Sequence, residues 1–281
     1  MKSSRVLVIN DDGVGSPLLL HFLDAISREP WCRELRVVVP ATEQSWVAQC
    51  ITRFRELQAE PYSFGKHSGF LVNGTAADCS TLGIQNLYPD KPDLVLSGVN
   101  MGWNAALPFF MSSGTIGGAA EAFLTKVPAL ALSVFLPDDV YRAYSSHNEQ
   151  AMEQHLPRWP IIAASATKVC RLLLTSEFWL EADIFSVNLP WDVTPESKMV
   201  LTHLEEAHFE KLFIDSESGP LRFRHKLQGV FFESPRKYGF TPHPGTADVH
   251  ALDSGLISVT PIRYTFTAQV SENFRAKIER S

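Results

Sequence analysis

The sequence predicts an α/β fold in which a largely parallel sheet lies between two layers of helices. Two observations carry this. Short β-branched runs alternate with helix-like stretches along residues 1–135, the order of βαβ units whose right-handed crossovers put helices on both faces. The runs are apolar at nearly every position rather than every second one, as strands covered on both faces are.

In chain order, Val6–Ile9, Arg36–Val39, Asp93–Leu96 and Ala129–Val134 are the expected strands of this first half. Helices are expected over Leu18–Arg28, Ala76–Leu87 and Ile116–Lys126. Thr75, followed three residues later by Asp78, resembles a capping box with the shorter acid and marks the start of the second helix. Residues 137–160 are polar and carry three prolines, which predicts an excursion with a short helix. Ala163–Leu174 reads as a helix, and Ile184–Leu189 as a strand stopped by Pro190. From about 195 to 255, runs such as Met199–Thr202 and Leu221–Arg224 sit between turn signals, Ser218-Gly219-Pro220 and His243-Pro244-Gly245. They predict an antiparallel hairpin region projecting from the core. Leu256–Thr260 is the expected last strand, followed by a polar tail over 263–281. The whole of 1–281 is expected to form one domain: a core of about 1–190 plus 256–262, the hairpin region and the tail.

Hydrophobic residues make up 45% of the 281 and charged residues 20%, enough for a sizeable core and against disorder. The net charge of −6 excludes a broad basic footprint, so no nucleic-acid binding is expected. Cys32, Cys50, Cys79 and Cys170 never form C-x-x-C, which leaves no readable zinc or redox pair. No apolar segment approaches the roughly 20 residues that span a bilayer, and Val6–Ile9 is too short for a signal sequence. A cytoplasmic protein without membrane contact is expected.

Four stretches just after predicted strands carry chemistry. Asn10-Asp11-Asp12-Gly13 places two adjacent carboxylates at a strand's carboxyl end, where they repel unless something positive shares the site. A hard divalent cation suits such oxygens; an acidic turn with Gly13 at positive φ is the plain structural alternative. Ser97-Gly98-Val99-Asn100-Met101-Gly102-Trp103-Asn104 offers two asparagines, one able to give its carbonyl to a cation and the other to donate to an oxyanion; an ordinary βα loop is the alternative. Ser112-Ser113-Gly114-Thr115 opens a helix and presents backbone N–H groups to an anion, or simply caps the helix. Thr42-Glu43-Gln44-Ser45 can add a serine oxygen. In one parallel sheet all four stretches gather at a single edge, where ligands bind. A cation held by acids, opposite an anion-binding helix start, suits phosphate ester hydrolysis.

These residues, in this order, resemble the SurE family of metal-dependent 5′-nucleotidases. The match runs through Asn-Asp-Asp-Gly at 10–13, Gln-Ser at 44–45, Gly-Thr-Ala-Ala-Asp-Cys at 74–79, residues 97–104 and Ser-Gly-Thr at 113–115. It returns in Val187-Asn188-Leu189-Pro190, in Gly245-Thr246-Ala247-Asp248 and in Ile257-Ser258-Val259-Thr260-Pro261. The resemblance implies a Rossmann-like core, a projecting β-hairpin and a C-terminal segment exchanged within a homodimer or homotetramer. It implies one divalent cation per subunit, Mg2+ or Mn2+, on Asp11, Asp12, Ser45 and Asn100. It implies Asn104, Ser113, Gly114 and Thr115 on the substrate phosphate, with Asp11, Asp12 and Asn104 catalytic. The expected reaction is hydrolysis of nucleoside 5′-monophosphates, with 3′-monophosphates as a second candidate, through a water nucleophile or, alternatively, an attacking aspartate. The chain departs from the family pattern at Val47-Ala48-Gln49-Cys50-Ile51-Thr52, where a Gly-His-Ser run usually precedes Ile-Thr, and also at Ala76, Ser112 and Gly15-Ser16-Pro17.

A catalytically silent or weak relative that only binds is one rival. A phosphoacceptor signalling domain is another, though it needs an aspartate where Ser97-Gly98-Val99-Asn100 stands. Among other residues, His243 and His250 can reach a site from the hairpin region, and Trp46 and Trp103 can stack on a base or on each other. Phe109-Phe110 reads as core, and neither Cys50 nor Cys79 reads as a nucleophile. Tyr264, Phe266, Val270 and Phe274 in the tail need a surface to cover them, which points to an even-numbered oligomer; a tail packed on its own core as a helix or edge strand is the alternative.

Overall fold

A computed structural model of the chain describes residues 3–232, 246–264 and 272. Its first half runs β1 (Ser4–Ile9), α1 (Leu19–Ser27), β2 (Cys32–Pro40), β3 (Ala59–Phe64), β4 (His67–Val72), α2 (Ala76–Gln85), β5 (Leu94–Met101), α3 (Leu107–Ser112), α4 (Gly114–Leu124) and β6 (Ala129–Val134). The second half runs α5 (Asp138–Ser145), α6 (Glu149–Glu153), α7 (Arg158–Thr175), β7 (Ile184–Leu189), β8 (Met199–His203), β9 (Ala207–Phe209), β10 (Phe213–Asp215), β11 (Phe223–His225), β12 (Val230–Phe232), β13 (Thr246–Ala247), α8 (Asp248–Asp253) and β14 (Ile257–Ile262).

Ten strands form one sheet in the order β13-β8-β14-β7-β6-β5-β1-β2-β4-β3. The run from β7 to β4 is parallel, as the apolar strands predict, while β14 joins β7 antiparallel and β3 closes the other edge antiparallel to β4. Strand periodicity sorts the core into two layers. Val6 and Val8 of β1 face the cluster built on α1 and α7, with Phe22, Leu23, Trp159 and Ile162. Leu7 and Ile9 face the cluster built on α2 and α4, with Cys79, Ile84, Ile116 and Ala119. No helix among the described residues is long and apolar enough to cross a membrane.

The chain winds from β1 outward through β2 in one direction and through β5 and β6 in the other. The carboxyl ends of β1 and β5 therefore flank the crevice where open α/β sheets take ligands.

Some elements differ from the expectation. β5 runs on through Met101, with a register irregularity between Ser97 and Asn100, so the expected loop is strand as far as Met101. The sharp departure is at Gly98: φ is +125°, and a Cβ there would lie 2.1 Å from the Leu132 carbonyl oxygen, an approach only glycine allows. β8, β13 and α8 lie on the main sheet rather than in an antiparallel hairpin region, because β8 pairs parallel with both β14 and β13. The antiparallel ladders of that stretch are β9–β12 and β10–β11. The expected excursion holds α5 and α6, and α7 begins at Arg158 rather than Ala163. His243, Phe266, Val270, Phe274 and most of the tail lie outside the described residues.

The expected capping box is present: Thr75 accepts from the Asp78 N–H, and Asp78 accepts from the Thr75 N–H at 2.9 Å. The same carboxylate also accepts from the Thr52 N–H and hydroxyl, at 2.9 and 2.7 Å. One buried aspartate thus starts α2 and ties down the loop that carries Ser45. Asp78→Ala leaves those donors without their acceptor and should cost about 2–4 kcal/mol. Urea unfolding checks this, and a loss below about 0.5 kcal/mol would remove Asp78 from that role.

Candidate active site

The site starts where β1 ends. Asn10 closes the turn with its own side chain: its amide donates to the Gly13 carbonyl at 3.0 Å, and its carbonyl accepts from the Gly13 N–H at 3.1 Å. Gly13 takes φ +78°, the conformation expected of it. The tight turn holds Asp11 and Asp12 at the strand end, 4% and 5% exposed.

Each carboxylate is gripped by a different element. Asp11 accepts from the Thr115 hydroxyl at 2.6 Å. It rests on the first residue of α4, where a Cβ on Gly114 would come within 2.9 Å of the Asp11 Cβ and Oδ2. Asp12 accepts from the Met101 N–H at 3.0 Å through one oxygen and from the Tyr144 hydroxyl at 3.1 Å through the other. Burial dominates their electrostatics. It pushes Asp11 up to about 6 against the lowering pull of Thr115, and it lifts Asp12 well above the usual carboxylate range with help from the Asp11 charge. Glu43 adds a further negative field to both. Burial likewise raises the Tyr144 phenol, which stays a protonated donor.

Around Asp11 opens a cleft of about 640 Å³. Ser45, Asn100, Asn104 and Ser113 line it together with Asp11. Asn100 donates its amide to the Gly102 carbonyl at 3.0 Å, a bond that does not use its side-chain carbonyl oxygen. Ser45 donates to Glu43 at 2.6 Å and keeps its lone pairs. Asn104 is fixed from behind: its N–H donates to the Asn188 side chain at 2.8 Å, and its amide to the Ser133 hydroxyl at 2.5 Å. One amide hydrogen of Asn104 remains to donate.

The expected phosphate turn divides its labour. Ser113 lines the cleft and caps α4 by accepting from the Ile116 N–H at 3.1 Å. Thr115 is fully buried and turned to Asp11, and Gly114 supplies the close approach. Asp12 lies beneath the cleft wall, held by β5 and α5.

An aromatic wall stands over the site. Trp46 and Trp103 do not pair with each other; Phe109 lies between them, with ring centroids 6.0 and 5.2 Å away. Phe109 therefore lines the cleft, in contrast to the core position expected, while Phe110 is core. His225 packs on Trp46 at 4.7 Å, and Lys226 follows it along the cleft. Sequence reasoning missed both, since no spacing links β11 to the β1 turn. His250 lies exposed on α8, outside the residues that line the cleft. Asp138 and Tyr141 of α5 also line the cleft. Burial raises the Cys79 thiol well above its ordinary range beside Asp78, which agrees with its reading as unreactive.

Two further motif residues find structural work. Asp248, fully buried, accepts from the Ala106, Glu205 and Val249 N–H groups at 2.8–2.9 Å and so holds the turn into α3, where Ala106 takes φ +62°. Asn188 positions Asn104.

The donor set fits a hard divalent cation. Two successive carboxylates are desolvated, and the charges raising them are negative. No group of three histidines, cysteines or acids converges among the described residues, and Asn100 and Ser45 bring neutral oxygens to the same cleft as Asp11. Without a cation, an acid raised by burial costs stability as pH climbs: Asp11 contributes fully below about 4, and that contribution is lost as pH passes about 6. In chelator-treated protein, stability should therefore fall between pH 4 and 7, with Asp11 accounting for on the order of 3 kcal/mol. Asp11→Asn should flatten that part of the slope. Equal slopes for wild type and variant in denaturant titrations would contradict the burial account.

The sequence profile of the family described as "Survival protein SurE" matches residues 6–211. A "5'-nucleotidase SurE" of Methanocella arvoryzae is 30% identical over 268 residues, covering 94% of this chain and 93% of the relative. Another of that name, from Desulfatibacillum aliphaticivorans, is 33% identical over 283 residues, covering 95% and 97%. Among solved structures, the SurE protein from Aquifex aeolicus superposes with a TM-score of 0.67 at 24% identity, over 98% of this chain and 99% of that one.

Proposed function

The chain belongs to the SurE family, and from that premise we propose that it hydrolyses nucleoside 5′-monophosphates using one divalent cation, Mg2+ or Mn2+, at Asp11 and Asp12. One observation supports this above the rest: Asp11, Asn100, Asn104, Ser113 and an aromatic wall border a single cleft, large enough for a nucleotide. Asp11, Asp12, Asn100 and Ser45 would hold the cation. Bound there, it supplies Lewis-acid charge on the phosphoryl group and activates the attacking water.

The chain's own residues do the rest. Asn104, braced by Asn188 and Ser133, donates its remaining amide hydrogen to a phosphoryl oxygen. Ser113 and the start of α4 add donors and the favourable end of the helix dipole. Trp46, Trp103 and Phe109 offer ring faces to the base and shield the reacting group from water. Asp11 and Asp12 accept hydrogen bonds from fixed donors, which favours water over an aspartate as the nucleophile. The same geometry admits 3′-monophosphates, and a nucleotide screen separates the two classes.

An even-numbered oligomer is part of this reading. Leu201 on β8 and Phe213, Phe223 and Phe231 in the small ladders are exposed, and a second copy would cover such side chains. Light scattering at micromolar concentration should give a dimer or tetramer, and a monomer would overturn it.

Phosphate release from nucleoside monophosphates should vanish on chelation and return with Mg2+ or Mn2+. Asp11→Asn and Asp12→Asn should each lower kcat at least about 100-fold while the protein stays folded, and Asn104→Ala should cost about 10²–10³ in kcat. Near-normal turnover by either aspartate variant would reject that residue as a ligand. Tight nucleotide binding by the metal-loaded wild type without turnover would favour a silent relative.

A further inference from the structure

α5 is the one element from the polar excursion that reaches the site. Asp138 and Tyr141 on it line the cleft, and Tyr144 passes behind them to the buried carboxylate of Asp12. The Tyr144 ring packs against the hydrophobic core, and its hydroxyl donates to Asp12 Oδ1 at 3.1 Å across 132 residues of sequence. The other oxygen of Asp12 is taken by the Met101 N–H of β5. Asp12 is thus clamped between two donors on different elements, one a side-chain hydroxyl and the other a backbone amide. Carboxylates that ligate cations depend on such outer partners for their orientation, and losing one typically costs 10–100-fold in metal affinity.

We propose that Tyr144 is a positioning residue that sets the Asp12 carboxylate for the cation and makes α5 part of the metal site. This rests on the reading of Asp11 and Asp12 as cation ligands. Asp12 keeps free lone pairs on both oxygens while its plane is fixed, so the cation meets a ligand already oriented. Without the hydroxyl, one side of the carboxylate is unheld, and binding must order it.

The test is calorimetric titration of Mn2+ into chelator-treated full-length protein, comparing wild type, Tyr144→Phe and Asp12→Asn. Phenylalanine keeps the ring in the core and removes only the hydroxyl. The expected result is a 10-fold or greater rise in the Mn2+ dissociation constant for Tyr144→Phe, with a larger loss for Asp12→Asn. The Mn2+ concentration for half-maximal activity should rise in parallel, while kcat at saturating Mn2+ returns to within about twofold of wild type, as a positioning role through the metal requires. Unchanged or tighter Mn2+ binding by Tyr144→Phe, with Asp12→Asn impaired, overturns the inference and leaves the cation site standing. A wild type that binds no Mn2+, or an Asp12→Asn variant that binds like wild type, overturns both. A loss of kcat that saturating Mn2+ does not recover also overturns it, because the hydroxyl would then act on something other than the cation.

Discussion

Two carboxylates on consecutive residues, taken out of water together, are the constraint on which the rest of this structure turns. Asp11 and Asp12 sit at the end of the central strand β1, and burial raises both toward their neutral forms. A protein gains nothing in stability from such a pair without a positive partner. The surroundings are organised to hold it nonetheless. The Asn10–Gly13 turn fixes the backbone, α4 gives Thr115 and a glycine that allows contact, β5 gives an amide, and α5 a phenol. Four elements far apart in sequence converge on two side chains.

The loops above the pair extend the same logic outward. Asp78 anchors the segment carrying Ser45 through Thr52, and the Ala48 N–H bonds the Ser112 carbonyl at 3.0 Å, laying that segment across the start of α4. Gly117 is needed there, since a Cβ would come within 2.3 Å of the Ala48 carbonyl oxygen. Trp46 and Ala48 take positive φ, at 62° and 51°, a strained backbone that presents the Trp46 ring to Phe109 and His225. Where Val47-Ala48-Gln49-Cys50-Ile51-Thr52 leaves the loop without an imidazole, His225 from a distant strand lines the same cleft.

Much of this was legible in the sequence because it is local. β1, β6 and β7 are mostly apolar runs, β7 stopped by Pro190, and the Thr75–Asp78 spacing specifies a cap. Asp11, Asn100 and Asn104 fall next to predicted strand ends, so the topology alone brings them together. The edge hairpin β3–β4 was not legible: β3 exposes four successive positions and contains Pro61, and β4 contains Gly69, both of which weaken a strand signal. Neither were contacts spanning more than a hundred residues. Nothing near Tyr144 signals a bond to Asp12, and nothing in the 245–248 motif signals that the Asp248 oxygens hold three backbone amides. Phe109 read as core because Phe110 beside it is core, whereas the turn of α3 sends the two rings to opposite sides.

The central claim is that the buried carboxylate pair is a cation site facing a phosphate site. Crystals soaked with Mn2+ and inorganic phosphate, with diffraction recorded at the manganese edge, test it most directly. An anomalous peak bounded by Asp11, Asp12 and Asn100, with phosphate density between it and Ser113 and Asn104, is the predicted result. Manganese bound elsewhere, with the Asp11–Asp12 pair retaining only its hydrogen bonds to Thr115, Met101 and Tyr144, would contradict it.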